Sequence, residues 1–272
     1  MRQSNATSLP IEAAANSLKC APRTSFNKTA IRIACVGDSI TAGVCSSGGE
    51  HPYPQQLQLL LDSDYGKDAY SVTNLGACGS TMLKAGDSPY WERPQFDALK
   101  ENRWDIVTIM LGTNDAKDPG SKGPNNWKHD CGGVERTTLN GCSYGTDYES
   151  FIELVRTLGP STDVAPNIFV LVPPPLMEKD AYGMNQTVIN SVFPKLIPLV
   201  AEKNDVSLID VYGGMGGETN WSRDPNFPTI CEQNDSWAPC QYWCDSQSCD
   251  ECHPNDVGYA HLAHVLKAGL GL

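Results

Sequence analysis

The chain has 272 residues, of which 40% are hydrophobic and 19% charged, so it is long and apolar enough for a globular protein with a sizeable core. Its formal net charge of −12 argues against a nucleic-acid partner, because phosphate binding needs a basic surface. No apolar run approaches the roughly 20 residues that cross a bilayer, so no membrane-spanning helix is expected. Residues 1–19 also lack the apolar core of a signal peptide. We expect a flexible tail over 1–29 and a single domain over 30–272.

Short runs of β-branched and apolar residues recur along the chain and predict five strands. They cover residues 30–36, 69–75, 105–111, 167–172 and 206–212. The runs are continuously apolar rather than alternating, which is typical of strands covered on both faces.

Segments with a helical spacing of apolar residues lie between and after these runs, at 52–63, 146–159, 186–204 and 254–270. In the third of them, Pro194 and Pro198 are expected to bend or interrupt the helix. Strands that alternate with helices indicate a parallel sheet with right-handed crossovers. The sequence therefore predicts an α/β fold: one three-layer, doubly wound domain around about five parallel strands.

Cysteine is unusually frequent, with eleven residues, five of them within 231–252. This cluster lies in a long segment, about 213–252, that does not fit the alternation and is predicted to be a cysteine-rich insertion. Its spacing differs from the paired C-x2-C steps of common zinc sites, so disulfides in an oxidising compartment are favoured. An odd count leaves at least one thiol unpaired, and Cys35 in the first strand is the expected one. Cys131 and Cys142 are suited to a local pair.

N-x-[S/T] sequons point to the same compartment, since they favour a secreted glycoprotein. The five sequons begin at Asn5, Asn27, Asn185, Asn220 and Asn234.

Chemistry-bearing residues follow the predicted strands at the sheet edge where open α/β folds bind ligands. Ser39 comes directly after the first strand, and a serine hydroxyl needs a base before it acts as a nucleophile. Among five histidines, only His253 has a carboxylate three residues before it, Asp250. This spacing allows the carboxylate to bind Nδ1 and to turn Nε2 toward the serine. Asp210, at the end of the fifth strand, is the alternative partner for the imidazole.

Three donors for an oxyanion are predicted at the same edge: the N–H groups of Ser39 and Gly79 and the side-chain amide of Asn114. Each of these residues also has an ordinary structural interpretation, as a turn residue or a helix cap. Asp38 is expected to hold the turn beside Ser39 by hydrogen bonds.

These segments together resemble the SGNH hydrolases, also called the GDSL esterase family. The matching blocks are GDSI (37–40), NLGACGST (74–81), LGTND (111–115) and DECHP (250–254), and the resemblance spans about residues 31–268. It implies a flavodoxin-like sheet and no metal or organic cofactor. By position it implies Ser39 as nucleophile, His253 as base and Asp250 as the partner of that base. Ser39, Gly79 and Asn114 become the oxyanion hole. Ile40 departs from the leucine that names the family.

The substrate is indicated by the segments VPPPLM (172–177) and HPNDVGYAHLA (253–263), which are most similar to the branch of carbohydrate and sialate O-acetylesterases. Aromatic side chains of the insertion are predicted to pack on sugar rings, the alternative being a small core among disulfides. They are Trp221, Trp237, Tyr242 and Trp243.

The sequence thus predicts a secreted serine esterase that removes short acyl groups, above all acetyl, from carbohydrate through an acyl-enzyme. A lipase or thioesterase for longer acyl chains is the first alternative, although no broad apolar helix suggests a lipid interface. A non-catalytic carbohydrate-binding protein and an acyltransferase to a sugar are the others. The expected partner is a small or glycan ester, with no nucleic acid and no membrane, and the oligomeric state stays open.

Overall fold

The computed structural model describes residues 30–117, 126–177, 181–217, 240–243, 250 and 252–272. Five strands of this part form one parallel sheet in the order β2-β1-β3-β4-β5. They are β1 (Ile31–Gly37), β2 (Tyr70–Gly76), β3 (Ile106–Met110), β4 (Asn167–Val172) and β5 (Ser207–Asp210). The five predicted strands are confirmed, with ends displaced by at most two residues. The predicted tail over 1–29 and most of the predicted insertion over 213–252 lie outside the described residues.

Helices cover both faces of the sheet. They are α1 (Ser39–Ala42), α2 (Tyr53–Tyr65), α3 (Pro94–Glu101), α4 (Asn126–Asp130), α5 (Ser143–Arg156), α6 (Phe193–Lys203), α7 (Val211–Gly214) and α8 (Asp256–Gly269). Ile33 and Cys35 of β1 join one buried cluster with residues of α2 and α8. Ala34 and Val36 point to the opposite face and join a second cluster with residues of α3, α5 and α6. The three-layer α/β architecture is thereby confirmed.

Pro194 and Pro198 of the third predicted helix are accommodated differently. α6 continues through Pro198, which lies inside it, so the helix is not interrupted there. A π-helical turn (Val188–Val192) precedes α6, which begins with Pro194 in its first turn. Proline has no N–H to donate to the carbonyl four residues earlier, that of Asn190. This carbonyl instead accepts a hydrogen bond from the Tyr212 hydroxyl at 2.9 Å. The interrupted helix is therefore joined to the end of β5 by a side chain.

The order of the strands places a crevice at the carboxyl end of β1. β2 lies on one side of β1 and β3 lies on the other. The loops that follow β1 and β3 therefore lead to opposite sides of the sheet, and a crevice opens between them. Gly37, at the end of β1, is in register with Gly76 of β2 and Met110 of β3. The loops after these three strands, which carry Ser39, Gly79 and Asn114, therefore start side by side.

The structure describes part of the cysteine pairing. The Sγ atoms of Cys131 and Cys142 lie 2.00 Å apart, at disulfide distance. Cys45 is also disulfide-bonded, to a cysteine whose side chain lies outside the described part. Cys35 is a buried free thiol, as predicted. In the part of the chain that the structure describes, no helix has the length and apolar character to cross a membrane.

Candidate active site

Ser39 is the first residue of α1, and the local sequence explains how it comes so close to the end of β1. A Cβ atom added to Gly37 would lie 2.0 Å from Thr41 Oγ1 and 2.9 Å from the Met110 carbonyl oxygen. Only glycine therefore allows the strand to turn into the helix at this point. Asp38 caps α1, because its Oδ1 accepts the N–H of Ile40 at 2.9 Å. This cap fixes Ser39 at the carboxyl edge of the sheet, as the sequence predicts.

Ser39, His253 and Asp250 form a continuous chain of hydrogen bonds. The Nε2 atom of His253 lies 2.8 Å from Ser39 Oγ. On the other side of the ring, Nδ1 lies 2.9 Å from Oδ1 and 2.8 Å from Oδ2 of Asp250. His253 is 6% exposed, so little water competes for these bonds. The arrangement allows the imidazole to accept a proton from the hydroxyl while the carboxylate stabilises the resulting cation.

The Asp250 carboxylate is held as an anion by several donors. Its Oδ1 accepts the N–H groups of Cys252 at 2.9 Å and His253 at 2.7 Å, and its Oδ2 accepts the hydroxyl of Tyr182 at 2.8 Å. Burial by itself raises the pKa of Asp250, but the hydrogen bonds and the charge of His253 outweigh it and lower this pKa to about 2. Asp250 is therefore ionised at neutral pH.

Cys45 Sγ is a further neighbour of this carboxylate, 3.6 Å from Oδ2. Cysteine, aspartate and histidine together are common metal ligands, and the three ligand atoms lie within 4.8 Å of one another. Cys45 is disulfide-bonded, however, and so has neither a thiolate to ligate nor an S–H to donate. Both ring nitrogens of His253 are also already engaged. These three residues consequently do not offer a metal site.

Asn114 is linked to the same motif as Ser39. It lies in the turn Thr113–Ala116 after β3, and its Nδ2 donates to Asp38 Oδ2 at 3.3 Å. The Asn114 carbonyl accepts the side-chain amide of Asn126 at 3.2 Å. Asp38 is 1% exposed, and burial raises its pKa to about 6. One buried carboxyl thus holds both the start of α1 and the amide of Asn114.

Gly79 lies in the loop after β2 with φ +76°, in the left-handed region that favours glycine. Apart from Gly79 and its two chain neighbours, no residue places a heavy atom within 4 Å of the position that a Cβ would occupy, so a ligand has room to approach this backbone. Arg93 ties the loop on both sides, because its guanidinium donates to the Cys78 carbonyl and to Ser80 Oγ. The N–H of Ala77 donates to the Gly37 carbonyl at 2.9 Å, which joins this loop to the end of β1.

Asp115, next to Asn114, is fully buried and has a structural role. Its carboxylate accepts the N–H groups of Met82 at 2.9 Å and Leu83 at 2.7 Å. Burial raises the pKa of Asp115 to about 7 in spite of these bonds. The side chain therefore fastens the segment after Gly79 to the turn that carries Asn114.

This buried acid predicts how stability depends on pH. The pKa of Asp115 is about 7 in the folded state against an ordinary 3.8, so the folded protein keeps a proton that the unfolded chain releases. Its contribution to stability is present at low pH and is lost as the pH rises from about 4 to about 7. The Asp115→Asn variant has no such proton, so its free energy of unfolding should fall less steeply over this window. An amide cannot accept both N–H groups, so at the acidic end of this window the variant should also be less stable than the unmodified protein, by about 1–3 kcal/mol.

Urea denaturation at several pH values between about 4 and 7 gives the free energy of unfolding as a function of pH for Asp115→Asn and for the unmodified protein, and the slopes of the two curves are compared. Asp97→Asn is the matched control, because the Asp97 side chain is 67% exposed. Its slope should equal that of the unmodified protein. Equal slopes for Asp115→Asn and the unmodified protein would contradict the prediction.

The alternative partner of the base has a different role. The Oδ1 atom of Asp210 accepts the N–H of Gly213 at 2.9 Å and so caps α7. The residue is exposed, whereas Asp250 is in direct contact with His253. His261 of α8 is stacked on Tyr242, with ring centroids 4.4 Å apart, and its Nε2 lies 2.9 Å from the Gly214 carbonyl oxygen. These contacts give His261 a packing role in the structure.

The structure describes two of the four aromatic residues predicted to bind sugar, Tyr242 and Trp243. Trp221 and Trp237 lie outside the described residues. Trp243 is only 5% exposed and packs in the core cluster with Tyr259 and Leu262, so it is not accessible as a platform for a sugar ring. This burial corresponds to the core interpretation of the aromatic cluster. Tyr242 is half-buried, with one face covered by His261.

Two neighbours of Asp250 were missed by the sequence analysis, Tyr182 and Cys45. Both have a left-handed backbone, with φ 52° and 70°. Neither lies in a recognisable motif, and both reach Asp250 across more than 65 residues of sequence. For Tyr182 the only local signal is the glycine that follows it.

The sequence of this chain is also similar to those of known proteins. A model of the GDSL-like lipase/acylhydrolase family matches residues 35–261. An acetylxylan esterase of Xylanibacter ruminicola is 27% identical over 255 residues, covering 89% of this chain and 43% of that protein. The chain therefore spans less than half the length of this curated relative.

Solved structures share the fold. Axe2, an acetylxylan esterase from Geobacillus stearothermophilus, matches with a TM-score of 0.55 and 20% identity, over 90% of this chain and 97% of that one. A carbohydrate acetylesterase family member from Sinorhizobium meliloti matches with a TM-score of 0.53 and 21% identity, over 89% and 100%. Since the family model covers residues 35–261 of 272, the chain belongs to the GDSL-like lipase/acylhydrolase family.

Proposed function

We propose that this protein is a serine esterase that removes acetyl groups from carbohydrate. The observation that carries the proposal is the hydrogen-bonded chain from Ser39 through His253 to Asp250, at the crevice where the strand order reverses. A hydroxyl with a base at 2.8 Å, and a carboxylate on the far side of that base, is the arrangement that activates a serine nucleophile.

In the proposed reaction, Ser39 Oγ attacks the acetyl carbonyl carbon and transfers its proton to His253 Nε2. The carbonyl oxygen becomes an oxyanion, which receives hydrogen bonds from the N–H groups of Ser39 and Gly79 and from Asn114 Nδ2. The intermediate then collapses, the bond to the sugar oxygen breaks, and His253 returns the proton to that oxygen. Water repeats the sequence on the acetyl-serine, so that acetate leaves and the free hydroxyl of Ser39 is restored.

Acetylated carbohydrate is proposed as the substrate class because several relatives carry that activity in their names. The acetylxylan esterase of X. ruminicola is similar over nearly the whole of this chain, although the chain covers only 43% of it. The segments 172–177 and 253–263 resemble the same branch of the family. A secreted location is part of the proposal, supported by the disulfide-bonded Cys45 and the close pair of Cys131 and Cys142.

Hydrolysis of p-nitrophenyl esters from acetate to octanoate tests the acyl specificity. We expect kcat/KM to be highest for the acetate and to fall by about 10-fold or more at the butanoate, because each unaccommodated methylene is worth about 1–3 kcal/mol. Acetate release from acetylated xylan, measured in parallel, tests the carbohydrate. A maximum at the octanoate would instead favour a lipase or thioesterase and would overturn the acetyl specificity.

A further inference from the structure

Tyr182 lies beside the proposed site in an unusual conformation. It is the middle residue of the turn Ala181–Gly183, with φ 52° and ψ 22°, and its side chain is 64% exposed. A bulky residue rarely adopts this left-handed backbone, and such outliers persist where the surrounding structure enforces them, often at functional sites. Since the residue is largely exposed, its ring contributes little to the hydrophobic core.

Hydrogen bonds hold the turn of Tyr182 both to Asp250 and to the turn that carries Asn114. The hydroxyl of Tyr182 donates to Asp250 Oδ2 at 2.8 Å, and its ring lies 6.0 Å from the His253 ring, centroid to centroid, at an interplanar angle of 66°. On the other side, the N–H of Asn185 donates to the Ala116 carbonyl at 2.9 Å, in the turn that carries Asn114. The ring therefore has a fixed orientation next to the base.

We propose that the ring of Tyr182 forms a wall of the subsite for the departing sugar, an inference that rests on the proposed function. The sugar oxygen must receive its proton from His253 Nε2, so the leaving group has to lie beside the His253 ring. Tyr182 is the exposed aromatic side chain next to that ring in the described part of the chain. Aromatic faces pack well against the apolar C–H faces of sugars, and a ring held in advance by its hydroxyl loses little freedom when it binds.

Two substitutions separate the ring from the hydroxyl. Tyr182→Phe keeps the ring and removes the bond to Asp250. Tyr182→Asn removes the ring and suits the left-handed backbone, in which asparagine is enriched, so the turn should be preserved. Tyr65→Asn is the matched control, since Tyr65 is another exposed tyrosine, 48% accessible, at the end of α2.

The two substrates are acetylated xylo-oligosaccharides and ethyl acetate, whose alcohol is too small to reach the ring. Tyr182→Asn should lower kcat/KM for the sugar acetate about 10-fold more than for ethyl acetate. This additional loss should appear as a higher KM for the sugar acetate. Tyr182→Phe should lower kcat for both substrates by one common factor, because the hydroxyl acts on the acid–base pair. Tyr65→Asn should leave both substrates unaffected.

Equal losses on the two substrates for Tyr182→Asn would overturn the subsite while leaving the proposed esterase intact. An unmodified protein that hydrolyses ethyl acetate but no sugar acetate would overturn the carbohydrate substrate and the subsite together. Inactivity on both substrates would overturn the esterase itself.

Discussion

Replacing Ser39 by alanine is expected to lower kcat for p-nitrophenyl acetate by about 10⁵- to 10⁶-fold, the scale on which serine hydrolases lose activity without their nucleophile. In the structure, Ser39 Oγ lies 2.8 Å from His253 Nε2 at the carboxyl edge of β1. Alanine at this position leaves a base with nothing to deprotonate except water. The cap by Asp38 Oδ1 and the backbone of α1 do not depend on the hydroxyl, so the fold should be retained.

Ser46→Ala is the matched control for this loss. Ser46 lies in the loop after α1, is 8% exposed, and donates its hydroxyl to the Gly43 carbonyl at 2.8 Å. Its removal should cost about 1 kcal/mol of stability and leave kcat within a few-fold. Thermal unfolding of both variants confirms that they are folded. More than about 1% residual activity in Ser39→Ala would place the nucleophile elsewhere.

Replacing Asp250 by asparagine is expected to lower kcat by about 10⁴-fold. The carboxylate contacts His253 Nδ1 with both oxygens, at 2.9 and 2.8 Å, and its low pKa of about 2 keeps it ionised. A neutral amide removes the charge that stabilises the imidazolium, and its NH₂ group cannot accept the proton on Nδ1. The loss should appear in kcat rather than KM, because the imidazolium forms only as the reaction proceeds.

Asp210→Asn makes the same chemical change at the alternative carboxylate. Asp210 is exposed and caps α7 through Gly213, so the variant should lose at most about 1 kcal/mol of stability and keep its activity. Comparison of kcat for the two variants at neutral pH decides between the carboxylates. Comparable losses in both, or a larger one in Asp210→Asn, would refute the role given to Asp250.

The strands and the meeting of Ser39 with Asn114 could be predicted because both depend on local patterns. The β1 sequence is apolar on both faces and ends in glycine, and parallel strands bring their carboxyl ends to one edge. The pairing of Asp250 with His253 is also local, over a three-residue step. Each of these predictions needs only periodicity, a turn and the topology of an α/β sheet.

What could not be predicted depends on tertiary contacts across long stretches of sequence. Tyr182 reaches Asp250 over 68 residues, from a turn whose conformation no motif specifies. Trp243 illustrates a second difficulty, because a tryptophan side chain is suited both to stacking on a sugar ring and to packing in a core. Only its burial in the core cluster that also contains Leu262 and Tyr259 of α8 decides in favour of the core. Whether an aromatic ring is buried depends on the side chains of the helix that packs against it. The residues next to the ring in the sequence do not reveal those side chains.

The separation of Ser39 from His253 by 214 residues has a consequence for biosynthesis. During synthesis, all five strands, which end at Asp210, emerge before the base does. The face of the sheet formed by Ile33 and Cys35 is covered by α2 and α8 together, so it stays only partly covered until α8 packs on it. A nascent chain can therefore form its sheet and present its serine while it still lacks any means of activating it. On the proposed mechanism, hydrolysis begins only when the segment around His253 docks, so enzymatic activity would report the completion of folding rather than its start.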